Sequence, residues 1–312
     1  MFLVILFTNC GKDFEKFTPR ETTGLVEDIF NNFSSEVEVF EIKSSSSSDI
    51  ILETKKGSVI FINRTNLILN GAEIDPESTL RIEVKEISGK GEMITNNLST
   101  NTSSKLLISE RMFKISIKVE DEEVQLQSGK EYKICVPNTQ PDASMKLFYG
   151  TTDTGNRTIW EEAEDTRAIE LNEWFFQTDM GVLTDFGYVL SVDRFDWINI
   201  DKYNDIPDEE KVEIRVQVPL DIYNGQNSIV FMVFIDNNSV VGLQFDQNTG
   251  EFYEPYGASP EGEEVSFVIL SAISADEYQL GIKNTTIQHG FSYLLAPQPL
   301  TKEEIKTRLE KL

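Results

Sequence analysis

The chain is poor in the residues that carry most protein chemistry. Among 312 residues there is one histidine, His289, and two cysteines, Cys10 and Cys135. A lone histidine excludes most zinc centres and leaves a Ser-His-Asp arrangement dependent on that residue alone. It sits in Gln288-His289-Gly290, a turn-like triplet where a surface side chain is expected. No Gly-x-Ser-x-Gly elbow, His-Glu-x-x-His motif or Gly-rich phosphate loop occurs. Carboxylates are so numerous, 53, that a pair spaced for glycoside hydrolysis carries no signal. No catalytic residue, metal site or cofactor is expected, and the reading is non-enzymatic.

Basic residues are scarce as well. Lys and Arg number 28 against 53 Asp and Glu, a formal net charge of −25. Nucleic-acid binding depends on cations that neutralise phosphates, so a nucleic-acid partner is excluded. Such acidity fits a solvated, self-repelling surface. Long apolar runs are missing too: the opening uncharged run, Met1–Cys10, falls far below the roughly 20 residues of a membrane-spanning helix.

That opening run does suit the apolar part of a signal peptide. The step Leu6-Phe-Thr-Asn-Cys10 is similar to a bacterial lipobox, in which the cysteine is acylated. No positive segment precedes it, and Asn9 stands where Gly or Ala is usual. Gly11-Lys12-Asp13 resembles the export signal of surface lipoproteins in the Bacteroidota. The resemblance implies a signal peptide over 1–10, lipidation at Cys10 and a lipid anchor in the outer membrane, periplasmic or surface-exposed. Cys135 then has no intramolecular partner, and a small buried hydrophobe is expected there.

What the chain has in quantity is period-2 alternation. Leu80-Arg-Ile82-Glu-Val84, Phe113-Lys-Ile115-Ser-Ile117-Lys-Val119 and Tyr132-Lys-Ile134-Cys-Val136 alternate apolar with other residues, and Pro137 stops the last. That period marks half-buried antiparallel strands. Val212-x-Ile214-x-Val216-x-Val218-Pro219 repeats the pattern, and Ile229–Ile235 is continuous enough for a strand buried on both faces. The fold expected is all-β: two tandem antiparallel, Ig-like β-sandwich modules with short N-terminal and C-terminal helices. After the signal peptide, 11–48 reads as a polar tether. It contains a helical stripe, Val26, Ile29, Phe30 and Phe33, and the flexible run Ser44–Ser48. Module 1 is expected over 49–140, a β-rich module 2 over 141–300 and a helix over 301–312, with a capping box at Thr301 and Glu304. Thr95–Ser104, rich in Asn, Ser and Thr, reads as an exposed loop.

Gly57-Ser-Val-Ile-Phe-Ile62, Leu80–Ile87 with Met93, Leu106-Leu107 with Met112, and Ile134-Cys-Val-Pro137 together resemble the sandwich domain of ankyrins and netrin receptors. More closely, they resemble an uncharacterised group of Bacteroidota lipoproteins built on such a module. The resemblance continues through Met145–Gly150, Trp160 and Trp197-Ile-Asn-Ile-Asp201-Lys-Tyr203. The group's string there reads Gly-Trp-Ile-Asn-Cys-Asp; this chain has Asp196 for the Gly and Ile200 for the Cys. The resemblance implies a fold and brings no activity.

Two features remain as binding candidates. Trp160, Trp174 and Trp197 fall close together in sequence and can furnish stacking rings for a ligand. Glu161, Glu162, Glu164, Asp165, Glu170 and Glu173 form an acidic stretch without EF-hand spacing, and Asp246-x-Asn248-x-Gly250 reads as a hairpin turn. The expectation is a lipid-anchored envelope or surface protein with a binding or structural role and a protein or glycan partner. One alternative is a carbohydrate-binding or carbohydrate-processing accessory lipoprotein that uses the tryptophans. The other is a component of a larger envelope assembly that uses sheet edges or the C-terminal helix.

Overall fold

Strand Leu107–Val119 is the axis of the structure. A computed structural model describes residues 23–43, 49–153, 157–165, 168–178, 181–219, 222–290 and 292–312. The segment read as a signal peptide, Cys10 and the serine run lie outside them. Among the described residues the chain is all-β with three short α-helices: α1 (Val26–Phe33), α2 (Lys90–Thr95) and α3 (Lys302–Leu309). None is long and apolar enough to cross a membrane.

On one side, Leu107–Val119 pairs with Asp196–Tyr203, followed outward by Lys146–Thr152 and Thr158–Glu162. On the other it pairs with Thr79–Ile87, itself paired to Glu38–Lys43. A second sheet runs Ile169–Thr178, Gly181–Val192, Tyr132–Pro137, Val59–Asn63, Asp49–Glu53. Strands from 146 to 203, read from sequence as the start of module 2, are thus hydrogen-bonded into the same two sheets as those from 49 to 137. Without them, Leu107–Val119 and Tyr132–Pro137 would present long unpaired edges.

The alternation noted in the sequence places its residues as expected. Ile82, Val84, Ile115, Ile117, Ile134 and Val136 share one buried cluster between these sheets, while Arg81 and Lys114 are exposed and Glu83 and Lys118 are half-buried. Period 2 fixes this, since a one-residue slip would exchange the two sets.

Over part of its area the first sheet is buried on its other face as well. Ile87, Leu107, Met112, Phe148 and Trp160 pack with all three helices and with Phe231, Leu270 and Tyr278 of a third sheet. In that sheet the strands run Ser292–Leu294, Arg215–Gln217, Glu251–Tyr253, Val240–Asp246, Ser228–Phe234, Glu264–Ser274, Glu277–Thr286, Gln298–Leu300. Every residue of Ser228–Phe234 is buried: Ile229, Phe231 and Val233 face the first sheet, while Val230, Met232 and Phe234 face a third core. Helix α3 docks through Ile305 and Leu309, and Gly91 of α2 meets it so closely that a Cβ would lie 2.3 Å from the Leu309 carbonyl oxygen.

The segment 95–104 departs from expectation. Thr95, Leu98, Ser99, Thr100 and Asn101 are buried, and Ser99 and Thr100 hydrogen-bond the part of Val240–Asp246 that Glu251–Tyr253 leaves unpaired. Thr100 N donates to Val240 O (2.7 Å), Val240 N to Thr100 Oγ1 (2.9 Å) and Gly242 N to Ser99 Oγ (2.8 Å). Hydroxyl side chains, usually a mark of solvent, here pair with backbone that Glu251–Tyr253 does not reach.

Ile115→Ala should cost about 2–5 kcal/mol, the range for emptying a packed aliphatic site. Lys114→Ala, one residue away, should cost under about 0.5 kcal/mol as a surface change. Denaturant melts of the two variants decide it; equal shifts would refute the assigned face.

Candidate functional site

The strand pair Ile169–Thr178 and Gly181–Val192 holds ten cross-strand pairs, but only Gly187–Val192 finds a neighbour, in Tyr132–Pro137. The remainder is a long hairpin that overhangs the second sheet. By register Phe61 lies opposite Lys133 and so level with Ser191, whereas Phe176 lies opposite Leu183. A straight strand would separate those levels by about 26 Å. The Phe61 and Phe176 rings instead stack at 5.4 Å. The hairpin therefore doubles back over the outer face of its own sheet.

The bend falls at Gly187, whose φ is 158° and where a Cβ would lie 2.2 Å from Val136 O. Beneath the folded hairpin Trp174 packs with Val59, Cys135 and Val189, joined by Phe176, Leu183 and Ile51. Cys135 is a free, buried thiol whose pKa burial pushes up to about 11, which keeps it protonated and unreactive near neutral pH.

The hairpin's other face looks outward. Residues 171, 173, 175 and 177 share it with 182, 184 and 186, because cross-strand partners project to the same side. On it Phe175, Val182 and Phe186 are exposed, Phe175 by 67%, and exposed Leu171, level with the bend, lies between this face and the cleft at the hairpin's base. Glu173 stands among them, between Leu171 and Phe175 and directly opposite Phe186. Between residues 168 and 193 the chain has five acidic residues, Glu170, Glu173, Asp179, Asp185 and Asp193, and no Lys or Arg. Ile169–Thr178 also ends its sheet, so its outer backbone edge has no strand partner among the described residues.

At the hairpin's base a cleft of about 370 Å³ opens against the first sheet, lined by Met145, Leu147, Ile169, Leu171 and Tyr188. Its rim carries two ion pairs, Lys146–Glu162 and Lys202–Asp142, each at 2.7 Å. The Lys202 ammonium bonded to Asp142 holds that carboxyl well below the usual carboxylate range. A more polar cleft of about 620 Å³ lies across the 161–165 segment, where the Arg194 guanidinium covers the Tyr149 ring at 4.1 Å and binds Asp193 at 2.9 Å.

The sequence candidates are dispersed by this arrangement. Trp160 is fully buried in the core between the first and third sheets, with its indole N–H donating to Ser99 O at 2.6 Å. Trp174 is buried under the hairpin, in a different core. Trp197 is half-buried, edge-on to Trp160 at 6.4 Å, with Lys114 Nζ 5.4 Å from its ring centroid. The three rings form no common platform. The acidic stretch is split between the 161–165 segment and the hairpin, and among the described residues no three His, Cys, Asp or Glu converge as metal ligands. Asp246-x-Asn248-x-Gly250 is a turn: Asn248 N donates to Asp246 Oδ1 and Gly250, at φ 74°, closes it. His289 is exposed. The outward residues Leu171, Phe175, Val182 and Phe186 were not singled out from sequence; the string Thr178-Asp-Met-Gly181 between two apolar-rich stretches is the sequence signal that marks them.

One buried group stands apart. Asp201 is wholly buried beside Ser109 and Asn199; Asn199 Nδ2 donates to its Oδ2 at 2.7 Å, and Oδ1 has no partner among the described residues. Burial pushes its carboxyl well up, against a weaker downward pull from Ser109.

Comparison with known families, characterised proteins and solved structures yields no match.

A raised carboxyl pKa in the folded state means that its contribution to stability is fully present below the unfolded value, about 3.9. That contribution is lost as pH rises toward the folded value. Asp201→Asn should therefore exceed the parent in stability at pH 7 and lose the advantage near pH 4. Paired denaturant melts across that range check it, and a pH-independent difference would refute a buried neutral acid.

Proposed function

We propose that this protein is a non-enzymatic, lipid-anchored envelope protein that binds a protein partner through the outward face of the folded-back hairpin. The observation that carries the binding reading is the hairpin itself, which is apolar on both faces although only one is covered. Strands apolar on both sides belong where both sides are buried. Contiguous exposed apolar surface on a soluble protein marks interaction sites. The assembly alternative gains support from the free edge of Ile169–Thr178 rather than from α3, which is occupied in a core. The glycan alternative has less support, because two of the three tryptophans are buried.

Anchoring at Cys10 and outer-membrane location rest on the lipobox-like sequence. Cys10→Ala should move the protein from the membrane to the soluble fraction, since a diacyl anchor supplies the two attachments that stable membrane binding needs. Retention of the variant in membranes would sink the anchor.

A photo-crosslinking residue placed at position 175 or 186 in the native cells should give a discrete protein adduct, and one at exposed Gln125 should not. Adding Phe186→Asp should abolish the adduct from position 175. No adduct, or the same adduct from position 125, would overturn the binding reading.

A further inference from the structure

The outward face says more than that it binds. Glu173 is a carboxylate set inside an apolar patch, with Leu171 and Phe175 two residues to either side and Phe186 across the ladder. Among the described residues it has no cationic partner, and the hairpin's own sequence offers none. Covering the patch would strip water from that carboxylate, which is costly unless the covering surface brings an opposite charge. Beside the patch runs the unpaired edge of Ile169–Thr178, whose main-chain groups can extend the ladder by one strand.

Resting on the binding reading above, we propose that the hairpin captures an extended protein segment by strand addition along Ile169–Thr178. The segment carries the pattern apolar–x–basic–x–apolar. Period 2 puts three alternate side chains of an added strand on one face, so the two apolar residues meet Leu171 and Phe175 while the Lys or Arg between them meets Glu173. A second copy of this chain fits poorly: its edge would bring Glu170 and Glu173 against their own kind, and its net charge is −25. An anionic membrane fits poorly for the same reason.

The test uses two labelled peptides that differ at one position, Thr-Val-Thr-Lys-Thr-Val-Thr and Thr-Val-Thr-Glu-Thr-Val-Thr, read by fluorescence anisotropy. The Lys peptide should bind about fivefold or more tighter than the Glu peptide, the combined effect of one attraction gained and one repulsion removed. Glu173→Lys should invert the preference, and Phe175→Asp should abolish binding of both peptides. Equal affinities, an unmoved preference in Glu173→Lys, or no binding by either peptide would overturn the proposal. So would flotation with phosphatidylcholine vesicles, or self-association in sedimentation, if either is lost in Phe175→Asp. If the peptides fail while crosslinking from position 175 still gives its adduct, only the basic-strand assignment falls. If both fail, the binding reading falls with it.

Discussion

One constraint governs the architecture: part of the first sheet must bury both of its faces. A half-buried sheet can use simple alternation, but strand Leu107–Val119 serves two cores. It also breaks register once. Ile200 pairs with Arg111 and Asp201 with Ser109, so Glu110 is left over. That extra residue reverses the parity of the strand. Phe113, Ile115, Ile117 and Val119 enter the core toward the second sheet, while Leu107, Ser109 and Met112 turn toward the third. The polar network of Ser109, Asn199 and Asp201 sits at this break, where the shifted register sets polar side chains within the sheet interface.

Much of the fold was legible in the sequence, for a physical reason. Where one face of a strand meets water, as at Ile82, Ile115 and Ile134, the residue pattern records which side is inside. The run Ile229–Ile235 likewise announced a strand buried on both faces, which ends at Phe234 and leaves Ile235 exposed. Connectivity was less legible: nothing local shows that strands after residue 140 pair with strands before it, because pairing is decided by edges far apart in the chain. The segment 95–104 misled because its hydroxyls and amides are satisfied by the backbone of Val240–Asp246 rather than by water.

The candidate site was hidden for a third reason. Trp174 and Phe175 are neighbours of similar character, yet one is buried and the other is the most exposed large apolar residue described. Composition cannot separate them; only the bend at Gly187 decides which face turns down onto Cys135. The tryptophans drew attention as the largest rings, and large rings are drawn most strongly into cores. A carboxylate among apolar neighbours, Glu173, is the more informative residue, since it breaks the local rule without a cationic partner among the described residues to compensate.

The core between the first and third sheets gathers the two ends of the described chain. Lys302 Nζ of α3 donates to Asn32 Oδ1 of α1 at 2.7 Å, across 270 residues, and Ile29, Phe33, Ile305 and Leu309 share that core. A chain made from its N-terminus keeps Ile29 and Phe33 without their final neighbours until nearly all of it has emerged. Contacts so distant in sequence close slowly, because the intervening chain must be ordered first. The same geometry makes the finished molecule intolerant of losing either end: trimming the last turn of α3 would open a core that begins at residue 26.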